Sequence, residues 1–251
     1  MEGRYYLITG ASGGIGSAVA ELVSRCGGGC ILIARDSEKL EALRVHLTEP
    51  DRHIAIPYDL NDLDHYSEIF EKLRSENVVL NGMVHCAGIT KVTPIRTYSM
   101  KSAAELFNIH YFAFMELVKW YAKKGVSDGG SIVGISAINA HSPQKCMSVY
   151  ASAKAAVEGA CTALAPELSS KGIRINSVVV GGISGGMGAD IHDTVQAASS
   201  IQASSDYSNP VERQLLGIGT PGDVAGVIAF MLSEESRFIT GRSVYADGGL
   251  L

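Results

Sequence analysis

Thr9-Gly10-Ala11-Ser12-Gly13-Gly14-Ile15-Gly16 is the stretch on which the fold turns. It joins an apolar run, Tyr5 to Thr9, to a segment of helical period, Ile15 to Cys26. A glycine-rich turn between a strand and a helix presents the helix's unpaired N–H groups to a ligand. Glycines allow the tight turn and the close approach of phosphate oxygens, while the aligned peptide dipoles favour negative charge. The first gap, between Gly10 and Gly14, is wider than in G-x-G-x-x-G. The expected ligand of Thr9, Gly10, Ser12, Gly14, Ile15 and Gly16 is a dinucleotide, held by its pyrophosphate. The competing reading is a plain strand-to-helix connection, and the order strand, turn, helix weighs against it.

Outward from this turn, six more short apolar runs read as strands: Cys30 to Ala34, His53 to Tyr58, Val78 to His85, Ser131 to Ser136, Arg174 to Val180 and Ser243 to Ala246. Several are apolar on successive residues, as strands buried on both faces are. Helical periods lie between them, at Ser37 to Leu47, Leu63 to Ser75, Ser99 to Lys124, Val149 to Ser170 and Asp223 to Ser233. Alternation with crossovers of this length implies an α/β fold: a single-domain, Rossmann-type, doubly wound sheet of seven parallel strands over residues 1–251, with helices on both faces. The irregular stretch 181–219 is too long for an ordinary connection and reads as a mobile substrate loop.

The 251 residues are 46% hydrophobic, ample for one large core covered on both sheet faces. A net charge of −5 with no Lys/Arg-rich run argues against nucleic acid as a partner, and no apolar run approaches a membrane span. The residues before Tyr5 leave no room for a secretion signal, and five cysteines without C-x-x-C point to reduced thiols; the expected location is cytoplasmic. Cys26 and Cys30 have no further ligands nearby in sequence, so packing is expected of them and no metal site is.

Tyr150-Ala151-Ser152-Ala153-Lys154 is the candidate for the chemistry, although tyrosine and lysine at this spacing alone more often mark an exposed helix face. A tyrosine four residues before a lysine shares a helix face with it, one turn away. A free phenol has a pKa of about 10 and is a poor acid or base near neutrality; a nearby cation lowers it. Arg35, just past the second strand, stands where an NAD enzyme places a carboxylate on the ribose 2′-hydroxyl, and a guanidinium there suits a 2′-phosphate. Asp36 is expected in the cap of the following helix. NADP(H) is therefore the expected cofactor in preference to NAD(H).

The glycine turn, Asp59-Leu60 after the third strand, Ala87-Gly88 after the fourth, Tyr150 with Lys154, and the tail Ala246-Asp247-Gly248-Gly249 occur in one order at one set of separations. Together they resemble the classical short-chain dehydrogenase/reductase family across essentially the whole chain. The segment from Gly219 onward looks most like the 3-oxoacyl-[acyl-carrier-protein] reductase branch. The resemblance implies that Asp59 bonds the adenine, that Ala87 and Gly88 pass close to its ribose, and that Ile183 meets the nicotinamide carboxamide. It also implies that Lys154 holds the nicotinamide ribose hydroxyls, that Tyr150 protonates the carbonyl oxygen of a ketone or acyl-thioester substrate, and that the chain forms a homotetramer, with a dimer as the alternative.

This chain departs from the family's pattern at several positions. The serine thirteen residues before the tyrosine is Ala137, with Ser136 as its neighbour, and the active-site asparagine is His110. Ser136 on a strand faces the opposite way from residue 137 unless a bulge intervenes. His110 is expected to anchor a relay water or to supply the missing donor. His85-Cys86 replace two asparagines, Val180-Gly181 replace a proline-glycine pair, and His141 and Ser142 lie in the loop before Tyr150. The leading expectation is an NADPH-dependent carbonyl reductase using Tyr150, Lys154, Ser136 and His110. The alternative is a non-catalytic or regulatory NADP(H)-binding protein of the same fold.

Overall fold

A computed structural model describes residues 1–185 and 213–251. Most of the expected substrate loop, 186–212, lies outside the described residues. The strands are β1 (Tyr5–Thr9), β2 (Gly29–Ala34), β3 (Ile54–Pro57), β4 (Leu80–His85), β5 (Ser127–Ala137), β6 (Ile173–Val180) and β7 (Ser243–Ala246). The helices are α1 (Gly14–Arg25), α2 (Ser37–His46), α3 (Tyr66–Ser75), α4 (Met100–Phe107), α5 (Ala113–Tyr121), α6 (Ser148–Ser169) and α7 (Pro221–Leu232). All seven strands are parallel, in the order β3-β2-β1-β4-β5-β6-β7.

Alternation within each strand divides the core between two layers. Ile31 and Ile33 of β2 and Ile132 of β5 join Phe70, Phe114 and Val157 on one face. Leu32 of β2 and Val133 of β5 join Val19, Val23 and Ile228 on the other. Each such side chain contributes about 1.5–3 kcal/mol by leaving water, so continuous apolar runs are what a sheet covered twice requires.

The strand order reverses at β1, whose neighbours are β2 and β4. Ligands of doubly wound sheets enter at such a point, beyond the carboxyl ends of the strands. Here that place holds Gly10 after β1 and His85 to Gly88 around the end of β4. Gly10 has φ +62°, and a Cβ on it would sit 2.7 Å from the Ala87 nitrogen, so only glycine lets the two segments touch.

Several boundaries differ from the sequence expectation, three of them for an evident local reason. β5 starts at Ser127 rather than Ser131, passing through Gly129 (φ +100°) and Gly130 (φ +110°), whose lack of side chains hid the strand. The helix expected over Ser99 to Lys124 is interrupted by a π turn at Asn108–Phe112, an insertion that apolar periodicity does not register. α7 begins at Pro221, fixed by a capping box in which Thr220 and Asp223 exchange side-chain and backbone hydrogen bonds.

Candidate active site

The glycine turn ends in a helix start without a local counter-charge. Gly13 caps α1 with no side-chain bond, and no acidic residue occupies the first turn. Gly16 is buried, and a Cβ there would collide with the Gly10 carbonyl. An uncapped N-terminus beside a cradle that any side chain would fill suits the pyrophosphate of a dinucleotide. Thr9 is buried at its floor, Ser12 is exposed at its rim and Ile15 packs into the core. Arg35 is exposed immediately past β2, while Asp36 caps α2 by accepting from the Lys39 N–H at 3.0 Å, as expected. Asp59 is exposed past β3 and one of its oxygens accepts from Asn61; Leu60 is buried. Ile183 follows β6 and is bridged to Gly219.

Tyr150 and Lys154 both lie on the buried face of α6. The Lys154 ammonium donates to the Ile135 carbonyl at 2.8 Å and stands 5.8 Å from the centre of the Tyr150 ring. Burial pushes the lysine down to about 8 and the phenol up to about 12. In this state the expected lowering of the tyrosine by the lysine is absent, because burial outweighs a cation directed at a backbone carbonyl. The Tyr150 hydroxyl has no hydrogen-bond partner among the described residues. Ala137 packs beside this tyrosine and brings no hydroxyl.

Ser136 is not brought to that pair. Its hydroxyl donates to Glu158 at 2.5 Å, with the Lys154 carbonyl at 3.3 Å, and no bulge turns it towards Tyr150. His110 does come close, its ring edge-on to that of Tyr150 with centroids 5.5 Å apart. Its Nε2 lies 2.7 Å from the Ile89 carbonyl oxygen, and its buried Nδ1 has no partner among the described residues and faces Gly88. Burial, reinforced by the Lys154 charge, holds it well below the usual histidine range. Its Nε2 hydrogen is thus committed to the Ile89 carbonyl and not directed at the Tyr150 hydroxyl.

Two groupings escaped the sequence reading. Glu158, one turn beyond Lys154, accepts hydrogen bonds from Ser136, from Ser243 of β7 at 2.8 Å and from His141 at 3.0 Å. His141 is thereby directed at Glu158. The spacing Tyr150, Lys154, Glu158 on one helix face was the available signal. The second grouping runs from Ala87 through Thr9 to His85: the Ala87 N–H donates to Thr9 Oγ1 at 3.2 Å, which lies 2.9 Å from His85 Nδ1. All five cysteines are free, and no described helix is long and apolar enough to cross a membrane.

A family model described as Enoyl-(Acyl carrier protein) reductase matches residues 10–251. The chain is 28% identical to a 3-oxoacyl-[acyl-carrier-protein] reductase of Rickettsia bellii, with 100% of this chain and 98% of the relative aligned. It is 27% identical to a diacetyl reductase [(S)-acetoin forming] of Staphylococcus epidermidis, with 98% and 97% aligned. Among solved structures, a glucose/ribitol dehydrogenase from Brucella melitensis superposes with a TM-score of 0.88 at 27% identity, covering 100% of this chain and 98% of that one.

Proposed function

Because the chain belongs to the short-chain dehydrogenase/reductase family, a family of oxidoreductases, we propose that it is an NADPH-dependent carbonyl reductase with Tyr150 as the proton donor. The observation that carries this is the Tyr150 hydroxyl, without a partner among the described residues, beside a buried Lys154, with the uncapped glycine turn as the cofactor's seat. When bound, the dinucleotide supplies the hydride that adds to the carbonyl carbon. Tyr150 gives its phenolic proton to the carbonyl oxygen, so the product is an alcohol. A phenol held near 12 is fully protonated at neutral pH, the state a donor needs. Lys154, charged below about pH 8, would hold the nicotinamide ribose hydroxyls and stabilise the phenolate left after transfer.

The helix dipole of α1 and the free amides of the turn would hold the pyrophosphate. Ala87 and Gly88 would pass the adenosine ribose, Asp59 would meet the adenine and Ile183 the carboxamide. Arg35 would fork onto a 2′-phosphate; Arg35→Ala is then expected to weaken NADPH about 10- to 100-fold and to leave NADH unchanged. Equal losses for both cofactors, or none, would remove the preference. The relatives include reductases of 3-oxoacyl thioesters and of diacetyl, so a ketone is the proposed substrate, with 3-oxoacyl thioesters the first to try.

The direct experiment follows the loss of NADPH absorbance over a panel of ketones and 3-oxoacyl thioesters. Turnover that disappears in Tyr150→Phe supports the reading. NADPH binding without turnover of any member supports instead a cofactor-binding protein without catalysis, the reading favoured by Ala137 and by the commitment of Ser136 to Glu158.

A further inference from the structure

We infer that His85 and His110 form a reciprocal staple that positions the Ala87–Ile89 segment on one side and the Tyr150 ring on the other. The inference rests on the carbonyl reductase reading and adds to it two positioning residues where the family pattern has asparagines.

The hydrogen bonds assign the protons. His85, at the end of β4, has Nε2 2.9 Å from the Ile109 carbonyl oxygen. A carbonyl only accepts, so that nitrogen carries the hydrogen. Burial drives His85 down to about 4, so the ring is neutral and Nδ1 is an acceptor. It accepts a hydrogen bond from the Thr9 hydroxyl, and the Thr9 oxygen accepts one from the Ala87 N–H. His110, in the π turn, places Nε2 2.7 Å from the Ile89 carbonyl oxygen and must carry its hydrogen there too. The Ile89 N–H also approaches that nitrogen, at 3.4 Å, but would need a lone pair that an N–H does not offer; the shorter contact decides.

The two bonds run in opposite directions. The histidine on the strand side donates into the helix backbone at residue 109, and the histidine on the helix side donates into the strand's exit at residue 89. Each acceptor is therefore presented by the segment that carries the other histidine. An imidazole carries its distal N–H farther from the backbone than an asparagine amide does, and Gly88 makes room for it. A Cβ on Gly88 would lie 2.9 Å from His110 Nδ1 and would collide with Cε1. The π turn, Asn108–Phe112, shifts the helix by one residue and aims both Ile109 O and the His110 ring at this junction. Both N–H groups are committed to backbone carbonyls, so both residues act through others: His85 through Thr9 and Ala87, His110 through Ile89 and Tyr150.

The test pairs phenylalanine, which keeps a ring and loses the N–H, with glutamine, whose terminal amide restores a distal donor. NADPH binding is followed by its fluorescence, and kcat and KM are measured on a ketone that the wild type turns over. His85→Phe is expected to weaken NADPH binding about tenfold with kcat nearly unchanged, and His110→Phe to lower kcat about tenfold with NADPH affinity nearly unchanged. Each glutamine variant is expected to recover most of its loss, and the double phenylalanine variant to depart from the product of the single effects. In the cofactor-free wild type, histidine ring 15N spectra at neutral pH are expected to show both rings as neutral Nε2–H tautomers. Either ring found as a cation or as the Nδ1–H tautomer overturns the staple, even where a phenylalanine variant fails to fold. So do glutamine variants no better than phenylalanine, or equal losses in binding and kcat from both positions. A wild type that neither binds NADPH nor turns over a ketone overturns the reductase reading itself, and the ring spectra then judge the staple alone.

Discussion

Two ends of one helix face behave in opposite ways. Tyr150, Lys154 and Glu158 succeed one another at four-residue spacing along one face of α6. At the Glu158 end the carboxylate accepts from Ser136, Ser243 and His141, tying β5, β7 and the loop after β5 to the helix. At the Tyr150 end the ammonium has one carbonyl and the hydroxyl has no partner among the described residues. Burial separates the two ends little: Tyr150 is buried and Glu158 half-buried. What differs is unused hydrogen-bonding capacity. A saturated polar cluster braces the fold, and an unsaturated one at a crevice is available to a substrate.

The contrast breaks first at Tyr150. Tyr150→Phe is expected to lower kcat by about 10²- to 10⁴-fold, the usual worth of a positioned acid, with NADPH affinity kept when measured by fluorescence. A variant as fast as wild type would make the two ends alike. Next comes the charge of Lys154. Its buried ammonium titrates near 8, so the charged form is complete below that value. The kcat/KM for NADPH, which reports the free enzyme, is therefore expected to be level below about pH 8 and to fall about tenfold per unit above it. A profile level to pH 10 would show that the charge is not used.

Ala137→Ser would supply a donor at the open end. Removing such a donor from a built site costs about 10²- to 10³-fold, and adding one to a site not shaped for it is expected to return less, roughly tenfold in kcat in steady-state assays. No gain would mean that residue 137 does not face the reacting oxygen. The smallest effect on rate belongs to Glu158→Ala. Three donors lose their acceptor, and only Ser136 among them is buried; an unpaired buried group costs about 1–3 kcal/mol at most, and less after rearrangement. Thermal unfolding is expected to move down by about 2–4 °C for each kcal/mol lost, with kcat at 25 °C within about twofold of wild type. A large fall in kcat at unchanged melting temperature would place Glu158 in the chemistry and erase the contrast.

Most of the architecture was legible in the residues. Runs such as Cys30 to Ala34 and Val178 to Val180 are apolar on both parities, and strands lie where those runs do. What misled was local: Gly129 and Gly130 carry no side chain to extend the pattern of β5, and a π turn leaves the apolar period on either side intact. In the site, the Tyr150–Lys154 pair and the glycine turn followed from spacing alone. Ser136 did not, because the strand directs its hydroxyl to Glu158, twenty-two residues later. The lowering of Tyr150 by Lys154 did not either, since burial and the Ile135 carbonyl intervene.

By itself the sequence determined whatever depends on period and short separations: seven parallel strands, a helix start free of counter-charge after β1, and a phenol and an ammonium on one face. Only the tertiary structure decided how each polar side chain uses its donors and acceptors. His85 meets Thr9 from seventy-six residues away, His110 meets Ile89 across twenty-one, and Ser243 meets Glu158 across eighty-five. Hydrogen bonds reach only about 3 Å, so partners so distant along the chain are chosen by how the sheet and helices pack.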